Sequence, residues 1–268
     1  RYNANDLTRL RLAAKLVDSG LPPAGAATAV VAWSIAECQQ RLDEQSVPSP
    51  EGEPDAAGGQ RPGGGRSISM PRATSEQRGL SRAALTLDAQ AVRDIMTSAI
   101  ESRGVVRAWE ELAAPTLIAI GNRWELTREA VEVEHVASLG IQQALEIPVP
   151  DDVTGRPVLL CCSPEEQHGL ALLALRAALI ESGTPAVMLG TRMPAEGLVA
   201  AAARLRPRAI VLWASLAENA DSSVLSLLPS QRPPIKAFVA GPGWRLTDDV
   251  QHATHLSSLA EAVNVLRL

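Results

Sequence analysis

Glu166 and His168 stand just past the apolar run Pro157-Val158-Leu159-Leu160-Cys161-Cys162, and they are the residue pair here best suited to chemistry. The run reads as a strand, and Glu166-Gln167-His168 as the opening of the helix that follows it. The histidine is then expected at the carboxyl end of a first α/β strand, where open α/β sheets bind their ligands. An imidazole nitrogen in that place can reach a metal above the sheet, and a carboxylate two residues earlier can orient the ring. Local context alone also fits a structural histidine at a strand–helix junction, so the case rests on the rest of the chain.

Two further spacings matter. Trp124 is separated by nine residues from Glu134-His135. On a helix the last two differ by about 100° in direction, so one can face a ligand while the other braces a neighbouring element. An indole beside a carboxylate suits a cap over a planar or nucleoside-like group, although a Trp in a bundle is more often core than lid. Next, Glu166-x-His168-x-x-Ala171 is followed after 41 residues by Trp213-Ala214-Ser215-Leu216, and later by Ala240-Gly241-Pro242-Gly243. Small residues at strand ends leave room for a ligand tail to descend between strand and helix.

The elements that must position these residues follow from periodicity. Residues 1–45 read as two helices: one from Asn5 or Asp6 to Ser19-Gly20, and one from about Ala24 to Leu42 after Pro22-Pro23. Residues 46–80, with Gly58-Gly59 and Arg61-Pro-Gly-Gly-Gly-Arg66, read as a flexible linker. They do not form a phosphate loop, because no preceding strand and no following Gly-Lys-Ser/Thr is present. Residues 81–149 predict a four-helix bundle. Its first helix presents Leu85, Val92, Ile95, Met96 and Ile100 and ends at Gly104; its second runs from Val105 to Ala114 before Pro115. A third is expected from about Thr116 to Trp124 and a fourth from about Arg128 to Leu145. Residues 155–268 predict an α/β domain with strands at Val158–Cys162, Ala186–Leu189, Ala209–Trp213, Ala237–Ala240 and His252–His255. Helices are expected near 166–182, 194–205, 217–228 and 257–267. That alternation implies a five-stranded parallel sheet of the flavodoxin-like, Rossmann-type order.

Composition limits the alternatives. The 268 residues carry a formal net charge of −5, which argues against a chain that coats nucleic acid over its whole surface; any such contact must be local. The three cysteines (Cys38, Cys161 and Cys162) make neither a disulfide framework nor a CxxC metal motif. No signal peptide and no apolar run of about 18 residues is present, so a soluble, cytoplasmic chain with no membrane partner is expected. The chain begins without Met, which suggests that a longer parent has been cut.

With these residues in place, the chain resembles the cobalamin-binding, light-responsive regulators of the MerR superfamily, the CarH/LitR type. Residues 1–45 resemble the tail of a MerR DNA-binding module, with Arg1-Tyr2 as the end of its wing and Asp6-Leu7-x-Arg9-Leu10 opening the next helix. Trp124-x9-Glu134-His135 resembles the signature that senses the upper, adenosyl face of the cofactor. Glu166-x-His168 resembles the corrinoid motif Asp/Glu-x-His-x-x-Gly. The resemblance implies a non-enzymatic regulator with adenosylcobalamin held between bundle and α/β domain, His168 being the cobalt ligand from below. Trp213, Ser215, Gly241 and Gly243 would line the cofactor's tail. It also implies a homo-oligomer, dimer or tetramer, that assembles in the dark and falls apart when light cleaves the cobalt–carbon bond. Operator DNA would be bound only through a parent with an intact helix-turn-helix, since no recognition helix is present here.

The departures from the pattern are specific. Ala171 replaces a Gly. Trp213 replaces the small hydroxyl residue that lines the tail slot, an indole that would fill it unless Ser215 takes over or the tail runs elsewhere. Ala240-Gly241 replaces Gly-Gly. Glu125 stands where some relatives carry a second cobalt-binding His. Alternative readings are a light sensor that binds a bilin beside or instead of cobalamin without reading DNA, a corrinoid carrier subunit of a methyltransferase or mutase, and a degenerate scaffold that binds nothing.

Overall fold

A computed structural model describes residues 73–127, 131–246 and 253–267, together with Thr8, Arg9, Leu12, Ala13, Val30, Ser34, Ile35 and Cys38. The chain divides into two compact units, Arg1–Arg61 and Pro62–Leu268. In the first, the described residues are helical apart from Ser34, and Leu12, Val30 and Cys38 are buried together. The rest of the two expected helices, and the Pro/Gly-rich stretch as far as residue 72, lie outside the described residues.

The second unit opens with a helix earlier than expected. Helix α1 spans Ser75–Leu85, six residues inside the stretch read above as linker. Thr74 explains it: its hydroxyl accepts from the Gln77 amide at 3.2 Å while the Gln77 side chain accepts from the Thr74 amide at 2.9 Å. This reciprocal capping box satisfies two donors that a helix start otherwise leaves unpaired. The apolar face expected as one helix is in fact two. Leu85 ends α1, and Asp88 caps α2 (Ala89–Ala108) by accepting from the Ala91 amide at 2.9 Å. Gly104 breaks α2 as expected, with φ of 81° and ψ of 164°. Pro115 does not end a helix. A π-helical turn, Trp109–Ala113, runs into α3 (Ala114–Thr127), and the Glu111 carbonyl that Pro115 cannot serve accepts from the Gln77 side chain at 2.9 Å. Helix α4 spans Val131–Leu145.

The α/β layer then follows as β1 (Val158–Cys162), α5 (Leu170–Glu181), β2 (Ala186–Gly190), α6 (Ala195–Leu205), β3 (Ala209–Trp213), β4 (Lys236–Ala240), β5 (Thr254–Leu256) and α7 (Leu259–Leu266). The strands pair in the order β2-β1-β3-β4-β5, all in parallel, which is the doubly wound order expected. The helix expected near 217–228 does not form. Two short 3-10 turns, Ala217–Asn219 and Ser223–Leu227, replace it. Just ahead of the second, Asp221 accepts from the Ser223 amide at 2.9 Å, a local bond that competes with helix propagation.

Side-chain alternation along the strands divides the interior in two. Leu159, Ile210, Leu212 and Val239 face α6 and Trp244. Val158, Leu160, Val211 and Phe238 face the other way, joining α5, α7 and the bundle residues Val92, Met96, Leu112 and Ile141 in one continuous core. Two carboxylates reinforce that junction. Glu181, at the end of α5, accepts from the Val105 amide at 3.1 and 3.2 Å just past the Gly104 break. Glu110 accepts from the Ala260 amide in the first turn of α7 at 3.1 Å.

Candidate functional site

The turn between β1 and α5 carries the site. The helix begins only at Leu170, so His168 lies ahead of it on a loop instead of inside its first turn as expected. The reason is Glu166. Its side chain is fully buried (0 % exposed), whereas that of His168 is 68 % exposed. Buried carboxylates must be hydrogen-bonded, and this one draws four donors, two of them from its own loop. It accepts from the His168 amide at 2.7 Å, the Ser215 amide at 2.6 Å and the Asn219 side chain at 3.2 Å. Its Oε1 also lies 2.6 Å from His168 Nδ1. The Glu166 carbonyl in turn accepts from the Arg192 amide at 2.8 Å, tying the turn to the end of β2.

Electrostatics follow from those contacts. Burial alone would raise the Glu166 pKa, but the amides of His168 and Ser215, the Asn219 side chain and the His168 ring together hold it below the usual carboxylate value. An ionised carboxylate can only accept, so the ring nitrogen facing it must donate. An imidazole that donates from Nδ1 leaves Nε2 as the nitrogen available to a metal. This is how a metal-binding imidazole is held. Burial pushes the Cys161 thiol up to about 12, and burial aided by nearby Glu166 does the same for Cys162. Both stay protonated at neutral pH and act as packing. Among the described residues no group of three or more His, Cys, Asp or Glu could hold a metal ion. A lone, oriented imidazole suits a metal that arrives with its other ligands already in place.

The strand ends around this turn are crowded by the protein itself. Trp213, half-buried at the end of β3, donates from Nε1 to the Ser215 hydroxyl at 3.1 Å. A Cβ on Gly241, where φ is 109°, would lie 2.3 Å from the Ala214 carbonyl and 3.2 Å from the Trp213 ring. One on Gly243 would meet the Leu216 carbonyl at 2.4 Å. The two glycines thus let the end of β4 approach the β3 loop, and that approach aims the Ser215 amide at Glu166. An open cleft of about 420 Å3 lies nearby, lined by Ile147, Leu173, Arg176, Met188 and Gly190 among others. Met188 borders the turn: its Cε would stand 3.3 Å from a Cβ on Gly169.

In the bundle, Trp124 falls within α3, and its side chain lies outside the described part of the structure. Glu134 and His135 are on α4. Glu134 accepts from the Ser138 hydroxyl at 2.6 Å, and its other oxygen is 3.2 Å from His135 Nδ1, which also approaches the Val131 carbonyl at 2.9 Å. Among the described residues the hydrogen bonds of this pair stay within α4. Asn219 and the Ser215 amide escaped the sequence reading. Neither carries a periodicity or motif signal, and their role appears only when the β3 loop folds back over Glu166.

Residues 76–147 match the B12 binding domain family. Over 160 residues the chain is 29 % identical to the HTH-type transcriptional repressor CarH of Myxococcus xanthus, an alignment covering 59 % of this chain and 54 % of that one. The chain is thus similar to CarH, and its residues 76–147 are similar to B12 binding domains. It spans about half the length of the curated relative it matches. The fold, helices followed by the five-stranded parallel sheet, is also that of the monomethylamine corrinoid protein of Methanosarcina barkeri. That match has a TM-score of 0.56 at 14 % identity, covering 69 % of this chain and 94 % of the other. The B12 binding domain match falls on the bundle, α1 to α4, and His168 lies beyond it in the α/β layer. The two parts share one core, so bundle and sheet pack as a single unit. Among the described residues no helix is long and apolar enough to cross a membrane.

Proposed function

We propose that this chain is a cobalamin-dependent, light-responsive regulator with His168 as the lower cobalt ligand. The observation that carries the reading is the Glu166–His168 pair: a buried carboxylate lies 2.6 Å from Nδ1 of a largely exposed imidazole, orienting the ring from one side. The residues fit the group. A corrin brings its cobalt with four ring nitrogens and, in the adenosyl form, a photolabile cobalt–carbon bond. What the protein must add on this side is one oriented axial donor. Glu166 holds that donor, Ser215 and Asn219 hold Glu166, and Gly241 and Gly243 let the β3 loop come close enough to do so.

On the opposite side, the resemblance assigns Trp124 and Glu134 to the adenosyl group, with His135 beside them. The dark assembly, its response to light and the link to operator DNA through a parent with a helix-turn-helix belong to the same proposal. Physically it is a two-state assembly in which one state is favoured by contacts to a removable group. Trp213 places a bulky ring where this family's pattern has a small hydroxyl residue, so a tetrapyrrole without a nucleotide tail, including a bilin, is the second ligand to test.

Absorbance of the purified chain after incubation with adenosylcobalamin, in the dark and after green light, tests the reading. A bound cobalamin spectrum that changes on illumination, together with a change in hydrodynamic size, is expected. A light-stable spectrum with methyl transfer to an added thiol would instead identify a corrinoid carrier. A strong red band from bound bilin would identify the alternative chromophore.

A further inference from the structure

We infer that the amino edge of the sheet, opposite the His168 turn, is a docking surface for the phosphate backbone of duplex nucleic acid. Six cations converge there from three loops, the start of β4 and the end of α7: Arg156, Arg206, Arg208, Arg232, Lys236 and Arg267. The loops are bound to one another. Arg156 donates to the carbonyls of Arg206 at 2.8 Å, Pro207 at 2.9 Å and Pro233 at 3.3 Å. The Lys236 amide donates to the Arg208 carbonyl at 3.1 Å, and the Arg208 guanidinium to the Leu266 carbonyl, next to Arg267. Arg206, Arg232, Lys236 and Arg267 are exposed, and Arg156 and Arg208 are half-buried.

Among the described residues none of these six pairs with a carboxylate; elsewhere Arg93, Arg103, Arg107 and Arg192 do, and Arg78, Arg82, Arg176 and Arg204 do not. Asp151 and Asp152, in the turn leading to β1, are the described acids nearest to them in sequence. On a chain of net charge −5, such a concentration of unneutralised positive charge is local and directional. Three of the four exposed cations, Arg206, Arg232 and Arg267, are arginines, whose planar forks match phosphate oxygens in pairs.

The patch chemistry selects among anionic partners. No exposed aromatic side chain lies among the described residues of these loops, so it lacks the stacking platforms that single strands require. Pro233 and Pro234 are the exposed apolar groups between the cations, too little for the apolar centre of a protein interface. The surface lies away from the cofactor turn, so this inference stands independently of the cobalamin reading.

Fluorescence anisotropy of the full chain with a labelled duplex of arbitrary sequence tests it. Binding in the micromolar range at ~50 mM salt is expected, weakening steeply toward ~200 mM. The triple variant Arg206→Glu, Arg232→Glu, Lys236→Glu should bind at least about tenfold more weakly, with a log–log salt slope shallower by about 2 to 3. The bundle variant Arg93→Glu, Arg107→Glu should bind as the parent does, and thermal melts should show all the proteins folded. No duplex binding, equal losses in both variants, or equal capture by a single strand, polyglutamate or phosphatidylserine vesicles would overturn the assignment.

Discussion

Glu166 Oε1 and His168 Nδ1 lie 2.6 Å apart, and the same carboxylate accepts from the His168 backbone amide at 2.7 Å. The residue is therefore held at two points by one buried anion. With backbone and ring both fixed, the direction of Nε2 is set before any ligand arrives. That preorganisation lowers the entropy lost on binding, because an exposed imidazole on a free loop would have to be ordered first.

Removing the ring leaves its support intact. His168→Ala should fold with a melting temperature close to the parent, because the side chain is mostly exposed and Glu166 keeps its bonds to the amides of residues 168 and 215. Its complex with cobalamin should show the spectrum of a five-coordinate or base-on form. An unchanged spectrum would remove His168 from the cobalt.

Altering the support does the reverse. Glu166→Gln replaces a pure acceptor with a group that must present N–H to a buried site crowded by the donors of His168, Ser215 and Asn219. The clash should destabilise the protein by about 1–3 kcal/mol and weaken cofactor affinity roughly 10- to 100-fold. Because the folded-state pKa of Glu166 is depressed, its stabilising contribution is fully present above the ordinary carboxylate value of 4.5 and is lost as pH falls below it. Parent and variant should therefore differ in denaturant midpoint at neutral pH and converge as the pH drops below that value. A constant difference across the acid range would contradict the ionised, shared carboxylate.

Trp213→Ser frees the Ser215 hydroxyl and uncovers the ring-facing side of Gly241. Losing a half-buried indole should cost about 2–3 kcal/mol of stability. If that indole stands in the way of a nucleotide tail, the variant's preference for intact cobalamin over cobinamide should rise about tenfold. Paired equilibrium titrations read that ratio directly, and a ratio equal to the parent's would show that the tail runs elsewhere.

Glu181→Ala removes the carboxylate that bridges α5 to the Gly104 break. The partly buried Val105 amide then lacks its acceptor, at a cost of about 1–2 kcal/mol. Amide exchange should speed up around residues 104–108 while the sheet core keeps its protection. Uniform acceleration throughout would mean that the bridge supports the whole unit and not this junction.

Local sequence was enough to place every strand within two residues and to order the sheet. Val158–Cys162 and Ala209–Trp213 are continuous apolar runs, and such runs separated by helical periodicity admit few parallel arrangements. It was enough, too, for the Gly104 break and for the pairing of Glu166 with His168, because both depend on one residue's backbone freedom or on neighbours two positions apart. Where local and distant bonds compete, tertiary structure decided. Residues 166–169 have a helix-like pattern, yet Glu166 is drawn into the interior by the Ser215 amide and Asn219, which lie 49 and 53 residues further along. Helix α5 starts at Leu170 in consequence. The same holds for 217–228, where Asn219 is drawn to Glu166 before a helix can form, and for the joining of bundle and sheet through Val105 and Glu181. A buried charge must gather its donors from wherever the fold brings them, and which donors those are cannot be written in a stretch of sequence that contains only one partner.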